Sequence, residues 1–447
     1  MLPPWNLFAP HRARPHAFFL DRAQQHAWSF AGSEPSTQLV VDADGSCHRW
    51  NGRRWLAIDA HPVDAIEAYV EDSAAEPIQS ASLDEPVAWP RTVGYLAYEL
   101  GTFIEELPRA SADPAAMPLA VLSTYDAIDA WSDRLREPLR VRFTRTTRSA
   151  RPGPRPRADT ARARPAPHES ERAVLARYRH GFARIKNAIA AGDIYQANLS
   201  RRISLPFVDD PAGTYTRLRA RQPVPQGAYI DGGEWVILSN SPECFLRVRG
   251  DDVRTYPIKG TRPRARGADD ERLRRELTGD EKELAEHLMI VDLERNDLGR
   301  VCEIGSVHVP SYAQVGSFST VHHLISDVRG RLRPGTRLGA LLRATYPGGS
   351  ITGAPKIRAM EIIAEVERCG RGVYTGAIGS FNGSRSLELS VAIRTAVVAR
   401  GHVHYCTGGG IVADSELARE HAETVTKARA FTDAVADGTM FAEAAVP

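Results

Sequence analysis

Lys259 stands in "TYPIKGTRPR", between a stiff Pro-Ile entry and a Gly-Thr exit, where a small residue would close the turn equally well. An amine in that position is either a solvated turn charge or a nucleophile placed to act. Glu243, in "SNSPECFL", follows a proline and precedes an apolar Phe-Leu pair. A carboxyl crowded by apolar groups has its pKa raised and can serve as a general acid near neutral pH. An exposed turn acid is the plainer reading of the same residue.

Two further constellations are acidic. Glu283 and Glu286 are three residues apart, as are Glu420 and Glu423, with Lys427 four beyond. Residues three and four apart share one face of a helix. Each pair is then either a solvated face or half of an oxygen-only site for a hard divalent cation such as Mg²⁺. Three glycine-rich turns, "PGGSITGAPK", "RGVYTGAIG" and "CTGGGIVADS", allow close backbone approach to an anion, a carboxylate as readily as a phosphate. The first is not a phosphate-binding Walker loop, because Ala354-Pro355 separates Gly353 from Lys356. In "ELSVAIRTAVV", Arg394 shares a strand face with small residues, so its guanidinium is a fork for a carboxylate or one half of a structural salt bridge.

The elements that must position these residues follow from periodicity. Val174, Leu175, Tyr178, Phe182, Ile185 and Ile189 predict an amphipathic helix stopped near Gly192. A second helix is expected over "DEKELAEHLMIVDLERND" with Leu284, Leu288 and Val291 inward, and a third from the "GAPK" turn through "IRAMEIIAEVE". "GAIGSF", "ELSVAIRTAVV" and "HVHYC" read as strands, the last two forming a hairpin across Arg400-Gly401. Asp414 or Ser415 is expected to cap a long final helix. Before residue 145 the chain carries short β-like runs, "SFAG", "QLVVDADG" and "TVGYLAYELG". Residues 145–170 are rich in Arg, Pro and Ala and read as a linker between a segment 1–144 and a segment 171–437. Helices and strand hairpins come in blocks rather than strict βαβ alternation, which points to an α+β fold with antiparallel sheets.

Composition narrows the classes. A net charge of +2 over 447 residues gives no global case for nucleic acid or an anionic membrane. No stretch approaches the roughly 20 apolar residues of a membrane span, and the N-terminal prolines and charges do not suit a signal peptide. Five scattered cysteines without metal spacing fit a reducing cytoplasm.

Taken in order, "GDIYQANLSRR", "SPECFL", "PIKGTRPR", "KELAEHLMIVDLERNDLGRV", "HHLISDVRGRL", "YPGGSITGAPKIRAMEIIAEVE", "RGVYTGAIGSF", "AIRTA" and "GGGIVADSELAREHAETVTKA" resemble the chorismate-utilising enzymes, over about residues 171–432. That family includes anthranilate synthase component I, aminodeoxychorismate synthase component I, and isochorismate and salicylate synthases. The resemblance implies a large sandwich of two mainly antiparallel sheets with helices outside, into which both segments fold, residues 171–437 carrying the chorismate site. It implies Mg²⁺ coordinated by Glu286 and Glu423, with Glu283 and Glu420 acting mainly through water, and the metal holding the ring carboxylate of chorismate. Tyr374, Arg394, Lys427 and the amides of Gly409 and Gly410 would hold the enolpyruvyl carboxylate, and Thr352 and His323 would line the site. Glu243 would protonate the departing C4 hydroxyl.

The resemblance also gives Lys259 a meaning. Family members that make anthranilate typically carry "PIAGT" and let ammonia attack ring carbon C2. Those making 4-amino-4-deoxychorismate, the precursor of p-aminobenzoate and folate, carry "PIKGT". Their lysine attacks C2 as the C4 hydroxyl leaves, and ammonia then adds at C4 and expels it. The residue here implies C4 amination, with C2 amination and pyruvate elimination to anthranilate as the alternative. Gln196 stands where isochorismate- and salicylate-forming members carry a water-activating lysine, which counts against those reactions. None of the five cysteines sits in a glutaminase-type elbow, so ammonia is expected from a separate glutamine amidotransferase subunit. Phe19-Leu20-Asp21-Arg22 replaces the "LLES" motif linked to tryptophan inhibition, so that inhibition is not expected.

Overall fold

A computed structural model describes residues 5–24, 26–77, 87–108, 113–144, 171–318 and 320–444. The segment 145–170 read as a linker lies outside the described residues. Among the described residues, twenty-two strands form two antiparallel sheets of ten and twelve strands. Eight helices cover them: α1 (Pro62–Ser73), α2 (Glu171–Ala190), α3 (Pro211–Arg221), α4 (Ala268–Thr278), α5 (Glu281–Gly299), α6 (Leu338–Thr345), α7 (Lys356–Glu367) and α8 (Leu417–Ala444).

Strands from before and after residues 145–170 share both sheets. Phe18–Asp21 pairs with Gln226–Asp231 in the ten-stranded sheet, and Thr92–Leu96 pairs with Ala377–Phe381 in the twelve-stranded sheet. The period-two alternation of a strand explains the layering. Phe18 and Leu20 enter a core between the sheets with Tyr95, Ile237 and Ile378, whereas Phe19 points outward to meet Tyr215 and Phe431 under α3 and α8. On the other outer surface, Val63 and Ile66 of α1, Val291 and Leu298 of α5, and Leu341 and Leu342 of α6 pack on Leu39, Leu96 and Leu246. Tyr178 and Ile185 of α2 and Ile362 of α7 close over Leu199 and Ile411.

The feature that matters for chemistry is a corner where two neighbouring arms change sheets. Trp235–Ser241 lies in the ten-stranded sheet and Cys244–Arg249 in the twelve-stranded one, so the chain crosses at Pro242-Glu243. Beside it, Ser386–Val391 and Thr395–Ala399 lie in the twelve- and ten-stranded sheets, with the crossing at Ala392–Arg394. The single strand expected over "ELSVAIRTAVV" is therefore two strands. Two backbone bonds tie the crossings together, Asn240 N to Arg394 O at 3.0 Å and Val391 N to Glu243 O at 3.1 Å. Switching sheets at a corner demands irregular backbone, and Arg394 supplies it with φ of +49°, a left-handed conformation uncommon for a residue with a side chain.

The helices at 171–190 and 356–367 and the hairpin across Arg400-Gly401 fall where periodicity places them. Two details of the helices differ. In α5, Val291 is buried but Leu288 is 49% exposed, and the inward stripe is His287, Ile290, Glu294, Asp297 and Leu298. That stripe is half polar: Leu298 packs in the core, while Glu294 faces the crossing and feels the charge of Glu243. The last helix starts at Leu417, beyond Asp414 and Ser415, and the Ser415 hydroxyl donates to Glu420 instead (2.7 Å).

Candidate active site

At the corner, Glu243 is 4% exposed, although its carboxyl belongs to a charged residue type. Burial pushes it up to about 7, against the pull of the Ser350 hydroxyl, the Lys259 ammonium, the Ile258 N–H and Arg394. The Ser350 Oγ is buried without a hydrogen-bond partner of its own; it lies close to the carboxyl but outside good bonding geometry. A carboxyl in this environment keeps its proton near neutrality, as a general acid must. Asp280 caps α5 by accepting from Glu283 N (3.1 Å), which fixes the register that turns Glu294 toward the corner and Glu283 and Glu286 toward the strand carrying Lys259.

Lys259 lies on Ile258–Pro263, at the edge of the twelve-stranded sheet, and its register with Val321–Arg331 shifts at Gly260. Gly260 has φ of +67°, and a Cβ there would sit 2.8 Å from Leu277 and 3.4 Å from Glu283. Glycine is thus what lets this bulge approach α4 and α5. The half-buried Lys259 Nζ donates to the Ser350 carbonyl at 3.4 Å, and its charge acts on Glu243, Glu286, His287 and Glu423 alike. The amine lies at the electrostatic centre of the site.

Glu420 and Glu423 lie over the glycine strand His402–Ile411, and the charge of Glu420 reaches Glu286 on α5. A Cβ on Gly409 would lie 3.5 Å from Glu420, and 3.9 Å from Glu423 and from the Lys427 amine. Burial raises Glu286, with Glu283 and Glu420 adding repulsion and Lys259 and Lys282 opposing it. Burial works against ionisation of Glu423 too, but Lys427 at 2.7 Å outweighs it and the carboxyl ends below its usual range. Each acid has a polar partner within the chain: Glu286 pairs with Lys282 (3.8 Å), Glu283 with Arg262 (3.4 Å), and Glu420 accepts from Ser415. Among the described residues no three acids or other ligand side chains converge into a ready metal cluster. The donor set, all carboxylate oxygen, still suits a hard cation. Glu286–Lys282 and Glu423–Lys427 are half-exposed i,i+4 ion pairs, a class worth about 0.3–0.5 kcal/mol, so little holds those carboxylates away from an ion.

His323 is buried, its Nδ1 donating to the Gly260 carbonyl at 3.1 Å, which leaves Nε2 as a buried acceptor without a partner. Burial, with help from Arg394 and Lys427, pushes it down to about 4, so the ring is neutral. Lys427 also donates to the Gly408 carbonyl (3.0 Å). The side-chain amide of Gln196, fully buried against Gly410, has no partner at either end. Arg394 has no hydrogen bond or ion pair to another described side chain; only the fields of Tyr405 and Glu243 offset its burial. The salt-bridge reading of this residue therefore falls. Arg394 is half-buried, and a guanidinium with no protein partner at the rim of a site can pair with an anionic ligand.

Two expected residues sit differently. The Thr352 hydroxyl donates to the Gly348 carbonyl (2.9 Å), bracing the glycine turn rather than facing open space. Tyr374 is buried with Arg371 as its nearest charge. Ser350 and Glu294 were not singled out in the sequence. Ser350 lies in the quoted glycine turn, and Glu294 continues the helix spacing of His287 and Ile290, a polar residue at an inward position.

A description of chorismate binding enzymes matches residues 15–433. The chain is 39% identical to anthranilate synthase component 1 of Streptomyces coelicolor, over 94% of this chain and 88% of the relative. It is 39% identical to aminodeoxychorismate synthase component 1 of Klebsiella aerogenes, over 75% of each. The solved structure of anthranilate synthase component I from Streptococcus pneumoniae TIGR4 superposes with a TM-score of 0.75 at 29% identity, covering 91% of this chain and 92% of that one. No helix among the described residues is long and apolar enough to cross a membrane.

Proposed function

This chain belongs to the chorismate-binding enzyme family, and on that premise we propose that it aminates chorismate at ring carbon C4 to give 4-amino-4-deoxychorismate. The observation that carries the reading is Lys259, an amine set on a glycine bulge beside a buried carboxyl, Glu243, whose proton affinity burial raises. That pairing suits a displacement in which a nitrogen nucleophile adds at C2 while an acid protonates the hydroxyl leaving C4. Ammonia then adds at C4 and expels the lysine. In this reading Arg394, Lys427 and the amides of Gly409 and Gly410 hold the enolpyruvyl carboxylate, with Tyr374 behind them. The neutral Nε2 of His323 accepts from a substrate hydroxyl, and Thr352 keeps the turn bearing Ser350 in place.

Glu286 and Glu423, supported by Glu283 and Glu420, would hold Mg²⁺, which when bound neutralises the ring carboxylate of chorismate. The nitrogen would come from a separate glutamine amidotransferase subunit, as the "component 1" names of the relatives suggest.

A second reading has its own support. The Streptomyces relative and the pneumococcal structure are both anthranilate synthases, and the match to the former extends over more of the chain than the match to the aminodeoxychorismate synthase. On overall likeness anthranilate formation, with amination at C2 and loss of pyruvate, is the better supported product. The two readings part at Lys259. With chorismate, Mg²⁺ and no ammonia, the wild-type chain should gain the mass of a chorismate-derived adduct on the peptide containing Lys259. Lys259→Ala should shift residual product toward anthranilate, because ammonia can then reach C2. Lys259→Arg keeps the charge but cannot be deprotonated to attack. Full 4-amino-4-deoxychorismate output from that variant would refute the covalent role.

A further inference from the structure

The turn that joins the glycine strand to the last helix is gripped from outside by a residue the mechanism above does not use. Residues 412–416 link His402–Ile411, which carries Gly409 and Gly410, to α8, which carries Glu420, Glu423 and Lys427. The turn closes on itself at Ser415. Its N–H donates to the Val412 carbonyl and its hydroxyl oxygen accepts from the Val412 N–H, both at 3.1 Å. The outer side of the turn belongs to α2. There the Lys186 Nζ donates to the carbonyls of Val412 (3.4 Å), Ser415 (3.3 Å) and Ala413. An ammonium has three donors and no acceptor, so three carbonyls use it fully. Ile185 and Ala188 bury the same stretch of α2, and Leu417 of α8 packs on their cluster, so the amine is presented from a fixed helix.

The Ser415 hydroxyl carries this arrangement inward. Ser415 is 5% exposed and donates to Oε1 of Glu420 at 2.7 Å. With Oε1 occupied, Oε2 is the oxygen that faces Gly409, beside Glu423 and the Lys427 amine. One hydrogen-bonded path therefore runs from α2, through the turn, to a carboxylate of the site. Groups bonded behind a metal-binding side chain orient it, and their loss weakens the metal.

We propose that Lys186 is a positioning residue for the cation site: its ammonium clasps the turn 412–415, keeps the Ser415 hydroxyl on Glu420, and so aims Oε2 of that acid at a hard divalent cation. This rests on the reading of the helix acids as the Mg²⁺ site. Lys186 touches neither cation nor substrate and acts through Ser415.

Mn²⁺, which shares the oxygen preference of Mg²⁺, is the probe, and its binding to the full chain without chorismate is read from the loss of the free-ion EPR signal. Ser415→Ala should weaken Mn²⁺ about tenfold, the low end for a partner behind a metal ligand. Lys186→Met keeps the side chain's length without its charge and should weaken Mn²⁺ roughly three- to tenfold, since it acts only through that partner. The double variant should bind no worse than Ser415→Ala alone, as residues on one path do. The Mg²⁺ concentration that half-saturates the ammonia-dependent reaction should rise in step, with kcat recovered at high Mg²⁺. A residue that merely supported the fold would lower the melting temperature and leave the Mn²⁺ affinity of the folded chain unchanged. Wild-type affinity in Lys186→Met overturns the clasp, and so do effects that simply add in the double variant. If Lys186→Met folds poorly, Ser415→Ala carries the test, and wild-type affinity there breaks the path. Glu423→Gln separates these failures from a wrong premise. If it binds Mn²⁺ as wild type does, or wild type binds none, the metal reading itself falls; if it loses Mn²⁺ while Lys186→Met keeps it, only the clasp falls.

Discussion

Two arginines, the buried Arg371 and the half-buried Arg394, differ in what surrounds their guanidinium groups. Arg371 is saturated: it donates to Glu367 at 2.8 and 2.7 Å, to the carbonyls of Asn198 (2.7 Å) and Ile351 (3.0 Å), and to Thr375 (3.2 Å), with the Tyr98 ring 4.6 Å from its centre. Glu367 in turn accepts from the Ser200 amide and hydroxyl, both at 2.8 Å. Arg394 has no such side-chain partner, and its backbone is left-handed. A buried charge with every donor used ties structure together, whereas one left open at an irregular corner is arranged for something that arrives. The chain contains both, and the difference separates scaffold from site more sharply than burial does.

The largest effect should come from breaking the saturated arginine. Arg371→Ala leaves Glu367 buried without its cation, a change that costs about 3–5 kcal/mol. Urea unfolding should show that loss with or without substrate, and an unshifted midpoint would mean that Arg371 is not structural. Arg394→Ala should do the reverse. It removes a half-buried charge that makes no side-chain bond or ion pair, so stability should hold, while chorismate binding loses charge-assisted bonds worth about 1.5–3 kcal/mol. That corresponds to roughly ten- to 150-fold weaker binding. A normal Kd would strike Arg394 from the substrate site, and a collapse in stability would return it to the scaffold with Arg371.

These two arginines also show what the sequence made legible. The α+β sandwich and the helices at 171–190 and 356–367 could be read from local periodicity and the order of elements, whereas the grouping of Lys259, Glu243 and the four helix acids, spread over residues 243 to 423, was implied only by the family resemblance. The split at Ala392–Arg394 could be read from neither. Alternation runs unbroken through "ELSVAIRTAVV", and an arginine gives no warning of a positive φ as a glycine would. Leu288 misled because an apolar residue was assumed to face inward on α5, where the inward face is shared with His287, Glu294 and Asp297. Strand pairing across residues 145–170, such as Phe18–Asp21 with Gln226–Asp231, joins residues some two hundred apart and leaves no local trace.

The account's central claim is that Lys259 directs nitrogen to C4, and the product formed by the unmodified chain tests it most directly. Purified protein given chorismate, Mg²⁺ and ammonia should yield 4-amino-4-deoxychorismate, identified by mass and by its conversion to p-aminobenzoate on adding the corresponding lyase. Anthranilate as the main product, with release of pyruvate, would contradict the claim and make Lys259 an electrostatic neighbour of the substrate rather than its nucleophile.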